Sequence, residues 1–215
     1  MIAIIDYGIG NLRNVERAFQ HIGASVQLTA DPAQVRAADG VVVPGVGAFG
    51  ACAIGLRRGG FENLVHEVAA SGRPLLGICV GMQLLFEGSE EMGEHAGLGL
   101  LPGRVLRFPE GGLDATGQRI KVPQIGWNQL WHAGDDPLLE GVPAGSYAYF
   151  VHSYYCAAAE PSDVIATTDY GIDYASMVRR GNVWGAQFHP EKSHAVGLQI
   201  LRNFAAIVAA GAARG

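Results

Sequence analysis

The sequence predicts an α/β fold: a mostly parallel central sheet flanked by helices, with additional antiparallel hairpins. Short apolar runs alternate with helix-period segments through the first hundred residues, which is the pattern of βαβ units and a parallel sheet. The 31 glycines are scattered without a period, so they mark tight turns and close backbone approaches rather than a collagen-like repeat or a linker. From about Leu101 the runs become shorter and turn-bounded, as hairpins decorating a sheet are.

Met1 to Asp6 is apolar enough for a buried strand, and Leu12, Val15, Phe19 and Ile22 then recur at helical spacing. Val26 to Thr29 is a second strand, and Asp31-Pro32 opens a short helix with a capping side chain and proline in its first turn. Gly40 to Val43 is a third strand running into the glycine-rich segment from Pro44 to Gly50. A helix through Leu64, Val65 and Val68 precedes a fourth strand, Pro74 to Ile78. Later strands are expected at Arg104 to Phe108, Ser146 to Tyr155, Val164 to Thr168 and Val183 to Phe188. A last helix carries Val196, Ile200, Phe204, Ile207 and Val208 on one face.

The chain has 215 residues, 49% of them hydrophobic and 16% charged, which suits one domain over residues 1–215 with a sizeable core. A formal charge of −5 without any basic block argues against a nucleic-acid surface. No apolar run approaches the ~20 residues that span a bilayer, and the N-terminus lacks the basic region and cleavage site of a signal peptide. Neither membrane nor secretion is expected. Cys52, Cys79 and Cys156 are odd in number and far apart, so a reducing cytoplasm is the expected setting.

Gly77-Ile78-Cys79-Val80-Gly81 stands between the fourth strand and a helical run, Met82 to Phe86. This is the strand-turn-helix setting of a G-x-S-x-G nucleophile elbow, with cysteine in place of serine. A sharp turn lifts the side chain above the sheet, flanking glycines relieve crowding, and the helix N-terminus favours thiolate. A free thiol titrates near about 8.5, so such help matters at neutral pH. The competing reading is a small buried cysteine packing as a hydrophobe; it is the one adopted for Cys52 and Cys156, which no such turn surrounds.

A cysteine nucleophile needs a base, and the base needs a group that fixes its tautomer. Gln187-Phe188-His189-Pro190-Glu191-Lys192-Ser193 supplies both, two residues apart at a strand end and stiffened by proline. Metal chemistry has no C-x-x-C or H-E-x-x-H to support it. Gly8-Ile9-Gly10-Asn11-Leu12-Arg13 begins like a dinucleotide fingerprint, but Arg13 occupies the third glycine position. No metal and no cofactor is expected.

An elbow cysteine followed some hundred residues later by His-Pro-Glu resembles the class I, or triad, glutamine amidotransferases. Asp6 to Leu12, Pro44 to Phe49, Gly77 to Phe86, Ile125-Gly126-Trp127-Asn128, Tyr149 to Tyr154 and Gln187 to Ser193 together resemble one branch, the glutaminase subunits of imidazole glycerol phosphate synthases of histidine biosynthesis. The resemblance implies a class I glutaminase-like fold in which Cys79 attacks the glutamine side-chain amide, His189 moves the protons and Glu191 holds His189. It places the glutamine pocket at Gln83 and Glu91, with backbone help from Gly47, Ser153 and Tyr154, and the oxyanion hole at Val46 and Gly47. Glu91 suits the α-ammonium of glutamine, although an acid closing Glu87-Gly88-Ser89-Glu90-Glu91 also reads as a solvated helix end.

The branch's synthase half is a (β/α)8 barrel, typically ~250 residues, so a separate barrel subunit is expected as the heterodimeric partner that receives the ammonia. Trp127, Asn128, Tyr149 and Lys192 are of types able to anchor its docking face, with a core position as the competing reading for Trp127. Gln124 stands where the branch often has histidine, which is read as an altered partner-facing contact. The alternatives are another class I amidotransferase, serving anthranilate, aminodeoxychorismate or pyridoxal phosphate synthesis, and a non-catalytic elbow-cysteine protein like the DJ-1/PfpI superfamily.

Overall fold

The computed structural model describes every residue except 114–116, 118, 214 and 215. The first half alternates as expected, with one further helix, α3, not expected from the sequence: β1 (Ile2–Ile5), α1 (Leu12–His21), β2 (Val26–Thr29), α2 (Pro32–Ala37), β3 (Gly40–Gly45), α3 (Phe49–Arg58), α4 (Phe61–Ala70), β4 (Leu75–Cys79) and α5 (Val80–Leu84). The second half is mainly strands: β5 (Gly88–Ser89), β6 (His95–Ala96), β7 (Gly103–Arg107), β8 (Gln124–Leu130), β9 (Ser146–His152), β10 (Tyr154–Ala158), β11 (Val164–Asp169), β12 (Asp173–Arg180) and β13 (Val183–Ala186), before α6 (His194–Ala212).

One sheet runs β2-β1-β3-β4-β13-β12-β10-β7-β5-β6, with β11 branching from this path to pair antiparallel with β12. The β2-β1-β3-β4-β13 part is parallel throughout. Every residue of β1, β3, β4 and β13 is buried; continuous apolar runs are what a parallel strand covered on both faces requires. Beyond β13 the pairing turns antiparallel through β12, β10 and β7. Strands β8 and β9 form a separate antiparallel ribbon, joined to β11 by backbone hydrogen bonds between Trp131 and Thr167 in both directions, 2.9 and 2.8 Å.

Asp31 caps α2 as its position suggests, accepting the Ala33 N–H at 2.8 Å. The run Ser146 to Tyr155, expected as one strand, is two. At Ser153 the carbonyl accepts the Phe108 N–H at 3.0 Å, so the chain leaves the ribbon and enters the main sheet. Among the described residues α6 alone has the length and apolarity to cross a bilayer, which the sequence reading did not anticipate. Its Ile200, Leu201, Phe204 and Val208 are in the core, and Asn203 donates to the carbonyls of Leu138 and Glu140 at 2.9 and 2.7 Å. Those contacts are a core helix's.

Candidate active site

Three adjacent parallel strands end side by side, and the predicted site residues follow their ends. Gly45, closing β3, is paired in register with Cys79, closing β4, while Ala186, closing β13, is paired with Ile78. The turn bearing Val46 and Gly47, the elbow bearing Cys79 and the loop bearing His189 therefore converge on one mouth, as ligand sites do at strand C-termini in open α/β sheets.

Cys79 has φ 55° and ψ −114°, a left-handed conformation that is strained for a side-chain-bearing residue. The glycines around it are sterically required. A Cβ on Gly81 would lie 1.8 Å from the Val43 carbonyl oxygen, and one on Gly77 would lie 2.6 Å from that of Gly81. Helix α5 is only five residues long, so what its N-terminus can offer the thiol is the unpaired N–H groups of a first turn rather than a long macrodipole. The N–H of Val80, not singled out from the sequence, follows Cys79 directly, the position from which a nucleophile elbow draws an oxyanion donor, and Val80 lines the cavity.

His189 Nδ1 lies 2.9 Å from Glu191 Oε1, and both side chains are almost fully buried. The same Glu191 oxygen accepts from Asn11 Nδ2 at 3.2 Å, and Asn11 Oδ1 accepts from Asn14 at 2.7 Å. Thus the glycine-rich N-terminal segment that fails as a dinucleotide fingerprint orients the carboxylate. Burial opposes a charge on His189, but hydrogen bonds and Coulomb attraction from Cys79 and Glu191 outweigh it and push the imidazolium up to about 10. The loop is anchored by Ser193, whose Oγ donates to the His189 carbonyl at 2.7 Å and accepts the Tyr149 N–H at 3.0 Å.

A cavity of about 510 Å³ opens over these groups, lined by Cys79, His189, Val46, Gly47, Val80, Gln83, Glu91, Ser153, Tyr154 and Lys192, together with Asn11, Pro123, Val151 and His152. Gln83 Nε2 donates to the Tyr154 carbonyl (3.0 Å) and to Gln187 Oε1 (3.1 Å), and Gln187 Nε2 lies 3.9 Å from the Cys79 sulfur. Glu91 is no solvated helix end: its Oε2 accepts the Phe49 N–H at 2.7 Å, the first N–H of α3, and it faces the cavity. Glu191 stays behind His189, outside the lining. Among the described residues no three His, Cys, Asp or Glu side chains are grouped as metal ligands.

His152, also missed in the sequence, is buried at the cavity wall, and burial pushes its imidazole down to about 4. The neutral ring has one N–H, and the Tyr154 carbonyl 2.8 Å from Nδ1 can only accept, so Nδ1 carries the proton and Nε2 faces the Tyr174 hydroxyl at 3.3 Å. That hydroxyl also lies 2.9 Å from the Gln124 side chain. Gln124 is 3% exposed, so its reading as a partner-facing contact is corrected: its Cα pairs with His152 and its side chain serves the interior.

Trp127, Tyr149 and Lys192 form an outer cluster. Trp127 is 45% exposed, which removes the core reading; it meets the Tyr149 ring edge-on at 5.7 Å and stacks on His194 at 4.9 Å. Lys192 Nζ stands 5.7 Å over the Tyr149 ring. Asn128 is separated from this cluster, because strand alternation turns it to the other face of β8, where it donates to the Asp169 carbonyl at 2.8 Å.

Comparison with known proteins agrees with this geometry. The sequence profile of the family described as glutamine amidotransferase class-I matches residues 3–208. An imidazole glycerol phosphate synthase subunit HisH from Salinibacter ruber is 52% identical over 96% of this chain and 94% of its own. The subunit of that name from Moorella thermoacetica is 49% identical over 96% and 95%. Among solved structures, a glutamine amidotransferase superposes with a TM-score of 0.73 at 21% identity, covering 97% of this chain and 100% of its own. PurLQS from Thermotoga maritima gives 0.67 at 18%, covering 94% and 96%; at such identity these two speak to the fold alone. The chain belongs to the class I glutamine amidotransferases.

Proposed function

We propose that this protein, as one amidotransferase domain, is the glutaminase subunit of an imidazole glycerol phosphate synthase. It hydrolyses glutamine to glutamate and ammonia and hands the ammonia to a separate (β/α)8-barrel subunit, which makes imidazole glycerol phosphate and aminoimidazole carboxamide ribotide. The observation that carries the reading is the convergence of Cys79 and the His189–Glu191 pair on one cavity, in a chain about half identical to subunits of that name. Three free, buried cysteines suit a cytoplasmic setting.

Glutamine enters with its α-ammonium toward the remaining oxygen of Glu91 and its amide over Cys79, beside Gln83 and the Ser153–Tyr154 backbone. The thiolate attacks the amide carbon. The N–H groups of Val46, Gly47 and Val80 receive the oxyanion, usually a large catalytic term. Since Nδ1 of His189 faces Glu191, Nε2 delivers the proton that lets ammonia leave, forming the thioester. His189 then takes a proton from water, the hydroxide attacks the thioester, and thiolate departs with glutamate formed. Trp127, Tyr149 and Lys192 dock the barrel, with Asn128 steadying β8 behind them. Completion of the oxyanion hole on docking prevents idle hydrolysis.

The test is co-purification with the barrel subunit followed by glutamine-dependent turnover of its ribotide substrate. Turnover driven by ammonium salts but never by glutamine would refute the reading.

A further inference from the structure

Pro44 and Gly45 end β3 in register with β4, whereas Gly47, two residues on, stands in open space. Gly47 has φ +83°, and a Cβ there would meet nothing within 4 Å, so no packing from the cavity side fixes it. Beneath it the Cys52 thiol of α3 lies 3.3 Å from the Val46 carbonyl, and the Tyr7 hydroxyl donates to the Pro44 carbonyl. Both side chains are buried, and burial makes both weaker acids than usual, which keeps each protonated as a donor. A trans peptide sets its C=O and N–H in opposite directions. With the Val46 carbonyl pinned inward to Cys52, the Gly47 N–H points outward, toward the cavity that Gly47 lines.

We propose that Cys52 is a positioning residue for glutamine hydrolysis: with Tyr7 it braces the turn so that the Gly47 N–H is preset toward the oxyanion. This rests on the glutaminase reading and deepens it. The Val46 N–H belongs to the preceding peptide, which Cys52 does not hold, so that unit stays free to reorient on docking. The packing role expected for Cys52 from sequence is thereby incomplete.

The experiment measures glutamine hydrolysis by the complex with the barrel subunit, together with thermal midpoints. Cys52→Ala is expected to lower kcat roughly fivefold, the population change that one modest hydrogen bond sustains, while KM changes less than about twofold on the same scale. Cys52→Ser, which keeps a donor, recovers most of kcat, and Tyr7→Phe lowers it in the same direction as Cys52→Ala. A thiol that only fills space predicts the reverse order, since a buried hydroxyl is tolerated less well than a methyl. Wild-type kcat in both Cys52→Ala and Tyr7→Phe, or serine no better than alanine, overturns the brace while leaving the glutaminase standing. A wild-type complex that never hydrolyses glutamine overturns both.

Discussion

The parallel core of the sheet and the β8–β9 ribbon each contribute one buried histidine to the cavity, and the two are driven opposite ways. His189, just beyond β13, faces Glu191 and Cys79 and is pushed up to about 10. His152, closing β9, meets a carbonyl and a hydroxyl at its ring nitrogens and aromatic rings around them, and is pushed down to about 4, first by burial and further by His189 itself. Burial disfavours charge in both, so ionic partners decide the difference. Paired groups with divergent acidities mark an acid–base assignment: the proposed mechanism gives the proton of the reaction to His189, while His152 is a neutral prop for the Tyr154 carbonyl. The proposed function thus puts chemistry where the sheet is covered on both faces, and partner recognition on the ribbon, where Trp127 is exposed.

The largest effect should separate the regions. Cys79→Ala is expected to abolish glutamine-dependent synthesis, a loss of roughly 10³-fold or more, while ammonium salts still drive the partner and complex formation is unchanged. His189→Ala should cost nearly as much, because a triad acts as a unit, and Glu191→Gln less, because an amide still accepts from His189. Near-normal glutaminase in Cys79→Ala would place the chemistry elsewhere.

The two histidines give opposite pH signatures. Below about 6.5 the unfolded chain protonates His152 while the native state resists until about 4, so stability is lost as pH falls across that window, by about 3 kcal/mol. The native state instead favours protonated His189, a contribution complete below about 6.5 and lost as pH rises through about 10. Denaturant titrations should show the acid limb flattened in His152→Phe and the alkaline limb flattened in His189→Ala. Identical limbs in all three proteins would abolish the contrast.

On the ribbon, Trp127→Ala should weaken binding of the barrel subunit by about 2 kcal/mol, as loss of an aromatic anchor does, with the chain's own folding unaffected. Glutamine hydrolysis by the isolated chain should be poor and rise on adding partner and ribotide ligand. Full activity of the chain alone would remove the docking switch, and Gly47→Pro should impair stimulated turnover more than complex formation. The smallest effect is expected at Cys156, buried on β10. Cys156→Ala should cost about 1 kcal/mol of stability, typical of a small core truncation, and leave kcat as it was.

What was legible in the sequence was local. Each strand from β1 to β4, the elbow and the His-Pro-Glu turn is written within a dozen residues, where period, glycine placement and proline act directly on the backbone. Helix α3 escaped because Gly50 and Gly55 hide an apolar face at Phe49, Cys52, Ala53 and Leu56. Strand β8 escaped because its buried Gln124 reads as polar surface until Tyr174, fifty residues on, supplies a partner. Asn11 lies 180 residues from Glu191; no local pattern can announce such a pair. Trp127 was readable by type, but its exposure is decided by which face of the ribbon the core covers.

The register of β3, β4 and β13 has a consequence for how such a chain changes over time. The turn, the elbow and the histidine loop are spaced by ladder hydrogen bonds between main chains, and a slip of one residue would invert every side chain on the strand concerned. Reactive groups hung on strand ends therefore inherit their separation from atoms common to all amino acids. Most side chains are free to drift while that spacing is kept, and the architecture does persist in structures sharing only 18–21% of their residues with this chain. The few positions without such latitude are those where main chain touches main chain, as at Gly77 and Gly81.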